Sequence, residues 1–177
     1  MSDRMARLWP FALAIAMAAS MPTDDSSIRT VLTDILLLLP LVYLVAAKTD
    51  RREASWPALL LLTGSYVLLR ALDLVAPSTA FAAIALAMLV WGTFDGALRD
   101  SRAFRTQTLG MIAFGSLALA GLLTEPDLGR HLIAAGWFLH GLWDFVHLKK
   151  DAVVSRSYAK WCGTLDVLVA AQLVLLS

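Results

Sequence analysis

The sequence predicts an all-α fold, a polytopic bundle of transmembrane helices that forms a single integral membrane domain over residues 1–177. Three observations carry that prediction. First, 59% of the residues are hydrophobic and only 16% are charged, whereas a soluble domain carries about a quarter charged residues. Second, long apolar stretches alternate with short polar breaks. Third, Lys and Arg gather in every other break.

A helix that crosses the hydrocarbon core needs roughly 20 mostly apolar residues, and seven stretches qualify: 6–21, 29–47, 57–76, 79–98, 108–123, 131–148 and 158–176. The first is ambiguous. Its charged start, apolar run from Leu8 to Met21 and small-residue pattern Ala16-Met17-Ala18 also describe a cleavable signal peptide. A retained span is favoured, and cleavage would leave six spans in the same orientation. The breaks that follow carry turn chemistry, as in PTDDSS, KTDRREASWP, APST and TEPDLGR. Such short breaks make consecutive helices antiparallel neighbours.

Orientation follows from the charges. With the N-terminus inside, the inner segments hold Arg4, Arg7, Lys48, Arg51, Arg52, Arg99, Arg102, Arg105, Lys149, Lys150, Arg156 and Lys160, against Arg29 and Arg130 outside. Arg70 lies within the third span. The positive-inside rule therefore predicts an inner N-terminus and an outer C-terminus. A multi-pass protein of the cell membrane, in contact with lipids, is implied.

Other classes are disfavoured. Cys162 is the single cysteine, so an internal disulfide or a zinc ribbon is excluded. No basic tract with interleaved aromatics is present to bind nucleic acid.

Five aspartates fall within the spans: Asp34, Asp73, Asp95, Asp144 and Asp166. An Asp at a helix centre costs about 2.5 to 3.5 kcal/mol on insertion scales, so each needs a reason to be there. Asp34, Asp73 and Arg70 lie toward the outer ends, where a three-residue spacing lets Arg70 pair with Asp73. That group reads first as scaffold and second as an entrance or ion site. The inner half is richer: Asp95, Asp144, His147, Cys162 and Asp166 share a depth, with His140 higher. At about 100° per residue, His140, Asp144 and His147 fall within about 60° of arc. Cys162 and Asp166, four apart, share a face, as do Trp91 and Asp95. Polar stripes of this kind face the bundle interior, where they can be satisfied.

A short repeat supports treating the inner group as a unit. WGTFD at 91–95 aligns with HGLWD at 140–144, placing Gly92 over Gly141 and Asp95 over Asp144. Glycines at such positions allow close helix approach.

Several chemistries suit the group. A divalent metal is one candidate cofactor, with Asp144 and His147 ligating from one helix as Asp/Glu-x-x-His pairs do in helical bundles, and Asp95, Asp166 or Cys162 completing the set. His140 and His147 stand about 10.5 Å apart along the axis at 1.5 Å per residue, which argues against both binding one ion. Acid–base catalysis on a lipophilic, lipid-like or isoprenoid substrate is another, with Asp144 and His147 central, Asp95 and Asp166 as partners, His140 orienting and Trp91, Trp143 and Cys162 lining the substrate pocket. That enzymatic reading is narrowly favoured. Proton- or cation-coupled transport is the alternative, since intramembrane Asp and His residues also mark ion pathways. Polar glue between helices is the plainest reading. Among the tryptophans, Trp9, Trp56 and Trp161 are expected at the membrane interface.

The pattern His140-x-x-Trp143-Asp144-x-x-His147, followed by Tyr158, Cys162 and Asp166, resembles one found in small bacterial multi-span membrane proteins. No activity comes with that resemblance, which covers the last quarter of the chain. The seven-span layout is also similar in outline to adiponectin-receptor and alkaline-ceramidase hydrolases. Those draw histidines from more than one helix, and this sequence has them on one only.

Overall fold

A computed structural model describes residues 3–21 and 28–175, and the expected PTDDSS turn at 22–27 lies outside them. The side chains of Arg4 and Arg7 are also outside the described set. The fold is all-α. Its long helices are α1 (Asp3–Ala19), α2 (Ile28–Thr49), α3 (Ser55–Leu72), α4 (Pro77–Phe94), α6 (Arg102–Leu123), α7 (Pro126–Lys150) and α8 (Arg156–Leu175). A single 3-10 turn, Arg52–Ala54, precedes α3, and a one-turn helix, α5 (Ala97–Asp100), follows α4.

Four of these helical segments are long and apolar enough to cross a membrane by composition alone: Ile28–Thr49, Arg52–Leu72, Pro77–Phe94 and Arg102–Leu123. Helices α7 and α8 match them in length, at 25 and 20 residues. They carry more polar residues, among them His131, His140, Asp144 and His147 in α7 and Lys160, Asp166 and Gln172 in α8, several of which form the polar centre described below. Length is thus preserved where apolarity has been given up.

Helix boundaries follow local chemistry. Pro77 opens α4 and Pro126 opens α7 at first-turn positions, where the missing N–H would have no intrahelical partner. Ser101 caps α6, its hydroxyl accepting from the Phe104 amide. Asp73 ends α3 and Asp151 ends α7 in left-handed conformation, a region that Asp tolerates better than most residues. This geometry overturns the expected Arg70–Asp73 pair: Asp73 is a C-cap, out of helical register with Arg70, and among the described residues no ion pair joins them.

Helix α2 is the axis of the bundle. Thirteen of its 22 residues are buried, and it packs against α3, α4, α6 and α7. Its LLLLPLV run is apolar on every side, as a helix surrounded by others must be, and it continues through Pro40 without a break. Helices α3 and α4 are peripheral, with Leu60, Leu61, Leu86 and Phe94 exposed. The tightest pairing is α7 with α8, and α1 lies against α8, where Gln172 donates to the Ala18 carbonyl.

The antiparallel order gathers the basic breaks at one end. Lys48 bonds to Asp95, Arg52 pairs with Asp151 at 3.2 Å, and Trp56 donates to the Ser157 hydroxyl at 3.0 Å. These contacts join the end of α2, the start of α3, the end of α4, the end of α7 and the start of α8. At the opposite end, Arg29 reaches the Thr124 carbonyl at 3.5 Å.

Candidate functional site

The centre begins with the helical stripe on α7. His140 and Asp144 are fully buried, and His147 is 6% exposed. Helix α8 presents Cys162 and Asp166 one turn apart, both fully buried. Two glycines allow these helices to meet. A Cβ at Gly163 would stand 3.0 Å from the Asp144 Cβ and 3.2 Å from the Gly141 carbonyl, and one at Gly141 would stand 3.2 Å from the Asp166 Cβ. All three contacts are tighter than ordinary packing. Removing the two side chains therefore brings the carboxylates of neighbouring helices to one point.

His140 lies between them. Its Nδ1 is 2.7 Å from Asp166 Oδ2 and 3.5 Å from Asp144 Oδ2. Tyr43 of α2 donates its hydroxyl to Asp144 Oδ1. The Cys162 Sγ is 3.7 Å from the Tyr158 hydroxyl and 3.9 Å from Asp166 Oδ1. One donor atom from each of His140, Asp144, Cys162 and Asp166 can be chosen so that all lie within 4.8 Å of one another. This is a candidate divalent-metal site, formed by two helices and closed by a third.

Charge explains why the cluster calls for a cation. Two carboxylates beside a neutral imidazole, the form that can ligate, would place two negative charges in a region without solvent exposure, and an uncompensated buried charge is very costly. Protons or a bound divalent cation would remove it. Two buried atoms also have no hydrogen-bond partner, His140 Nε2 and Asp144 Oδ2, although buried polar atoms are almost always paired. The donor set of N, O and S suits a borderline ion such as Zn²⁺. Tetrahedral bonds of about 2.0 to 2.3 Å would set neighbouring donors about 3.3 to 3.8 Å apart. Gathering the widest-spaced donors requires about an ångström of side-chain movement. The Tyr43 hydroxyl already supplies the outer hydrogen bond that orients a ligating carboxylate.

His147 has a different environment from the one its spacing suggests. The Trp143 indole N–H, which can only donate, points at Gln107 Oε1 at 3.2 Å. That fixes the Gln107 amide, whose nitrogen then donates to His147 Nε2 at 3.0 Å. His147 Nδ1 carries the proton and donates to the Trp143 carbonyl at 2.9 Å. Both ring nitrogens are engaged, so the neutral imidazole is held as a hydrogen-bonded neighbour. Its ring packs on Tyr43, with centroids 4.9 Å apart.

Other expected site residues lie elsewhere. Asp95 is not brought to the centre, because α4 ends at Phe94 and Asp95 becomes its C-cap at the surface. There its carboxylate bonds to Lys48 and accepts from the Ala97 amide at 3.1 Å. The Lys48 hydrogen bond, followed by the Ala97 amide, holds its pKa below the ordinary carboxylate value. Trp91 is 60% exposed and lines a cleft of about 960 Å³ with Lys48, Asp95 and Phe104. The repeat joining Asp95 to Asp144 therefore does not bring both aspartates to the buried cluster. Gly92 does mark a close approach, since a Cβ there would overlap the Phe104 ring at 2.3 Å. Trp143 contacts His147 and Phe114 rather than the carboxylates. Trp161, expected at the interface, is 4% exposed and packs beside Tyr158 and Trp56.

Tyr43 and Gln107 were not singled out by sequence reasoning. Tyr43 had a signal, being the only polar side chain between Ile35 and Ala47. Gln107 had a weaker one, because it lies just before the fifth predicted span. Comparison with protein-family models, with curated proteins and with solved structures finds no match.

Proposed function

We propose that this chain is a seven-span protein of the cell membrane, with its basic end inside, and that it serves as a small proton- or cation-coupled transporter. His140, Asp144, Cys162 and Asp166 hold the proton or cation. The observation that carries this reading is the closed cluster itself: two carboxylates, an imidazole and a thiol at one point, fully buried, with unpartnered polar atoms facing no solvent. Such a site takes a small ion by rearrangement more readily than it admits a lipid-like substrate to an acid–base pair. That favours transport over the enzymatic reading.

A proton and a metal ion compete for the same atoms. In the proton-loaded state, the His140 Nδ1–H lies between the two carboxylates. A metal bound to those oxygens and to the deprotonated cysteine displaces protons. Mutually exclusive occupancy is the requirement for coupling. Along α2, the buried run from Leu36 to Val42 separates this centre from Asp34. Passage of an ion would therefore require the bundle to move.

Reconstituted proteoliposomes containing a pH-sensitive dye test the proposal. An imposed Zn²⁺ or Mn²⁺ gradient should drive a lumenal pH change with wild-type protein and none with Asp144→Asn. Equal signals from wild-type and protein-free vesicles would refute it.

A further inference from the structure

A second polar site lies at the opposite end of the bundle. The start of α2, the end of α3 and the start of α4 enclose a pocket of about 190 Å³, lined by Thr30, Asp34, Arg70, Asp73 and Ser78 among others. Asp34 is 1% exposed, and neither carboxylate oxygen has a hydrogen-bond partner. Ser78, in the first turn of α4, faces it with hydroxyl and amide without closing a hydrogen bond of normal geometry. Leaving a buried carboxylate unpaired is expensive. The pocket beside it has room for a cation and a few waters.

The geometry points to a binding site for a small, hard monovalent cation of the alkali-metal class, with Asp34 as its principal ligand. Asp73, Thr30 and Ser78 offer further oxygens, and oxygen donors select hard cations. Charge sets the valence. Two carboxylates and the Arg70 guanidinium sum to one negative charge, which a monovalent ion neutralises and a divalent ion overshoots. Arg70 acts on the Asp34 carboxylate only from a distance and closes no ion pair with it or with Asp73, so the guanidinium leaves the position against the carboxylate oxygens open. This site is separate from the inner centre and does not depend on the reading given to it.

Equilibrium binding of ²²Na⁺ to purified full-length protein in lipid nanodiscs provides the test, with choline balancing the ionic strength. Wild type should bind ²²Na⁺ saturably at about one ion per chain, displaced by Li⁺ or K⁺ but not by choline. Asp34→Asn should weaken binding at least tenfold, and Asp73→Asn by a smaller factor. Asp144→Asn should leave it unchanged, which separates this site from the inner one. If Asp34→Asn does not fold, Asp73→Asn and Ser78→Ala decide the matter, because both retain the buried carboxylate. Absence of saturable binding in folded wild type overturns the inference. So does retention of wild-type affinity in Asp34→Asn or, where that variant does not fold, in both others; Asp34 would then serve only to cap α4.

Discussion

At the scale of single residues, the centre depends on His140 more than its place in the sequence suggests. Spacing pointed to Asp144 with His147, three apart on one helix, and to His140 as a flanking group. The difference comes from the partners each ring finds: Asp166 reaches His140 across the α7–α8 contact, while Gln107 of α6 and the Trp143 carbonyl of α7 itself occupy His147. No rule of spacing on α7 could reveal which nitrogen another helix would engage. Two expectations follow. Asp144→Asn and His140→Ala should each reduce Zn²⁺ affinity at least tenfold in equilibrium binding, whereas Asp95→Asn, at the surface with Lys48, should leave it within twofold. Gln107→Leu removes the donor to His147 Nε2 and leaves a buried acceptor unsatisfied. It should destabilise the protein by about 1 to 3 kcal/mol, read from unfolding in mixed micelles, without abolishing metal binding.

At the scale of elements, the sequence was most informative about helices and least about which of their faces meet. The apolar stretches overlap long helices, because uninterrupted apolarity is a local property, although 57–76 overruns α3 and 79–98 overruns α4 by four residues each. The Asp95–Asp144 correspondence misled because a shared Gly and Asp do not determine where a helix stops. Helix α4 ends one residue before Asp95, whereas α7 continues for six residues beyond Asp144. The glycines predict energetics more directly. Gly163→Ala would force α8 away from Asp144 and should weaken metal binding about tenfold although no ligand is removed. Gly129→Ala would place a Cβ 2.4 Å from the Gly121 carbonyl and should lower the unfolding temperature markedly. Gly64→Ala has open space around it and should be neutral or slightly stabilising, as expected from helix propensity alone.

At the scale of the whole molecule, two polar sites occupy opposite halves of an apolar bundle, and α2 contributes to both through Asp34 and Tyr43. Their separation along the helix axes was legible in the sequence, because the position of each residue within its apolar stretch places it along its helix. What was not legible was closure. Burial of the inner centre depends on α2, α7 and α8 packing together, which a linear pattern does not encode. The proposed orientation is testable by labelling introduced cysteines in intact cells with a membrane-impermeant maleimide. Glu125→Cys should react from outside, whereas Ala152→Cys should react only after permeabilisation; Cys162, fully buried, should remain silent in both.

Under the proposed transport function, one buried cluster holds either a proton or a cation. Isothermal calorimetry of Zn²⁺ binding to the full-length protein in nanodiscs, repeated in buffers of different ionisation enthalpy, measures ion stoichiometry and proton release together. One ion should bind per chain with release of about one or two protons per ion, and both should be lost in Asp144→Asn. Saturable binding without proton release, or binding of equal strength in Asp144→Asn, would contradict it.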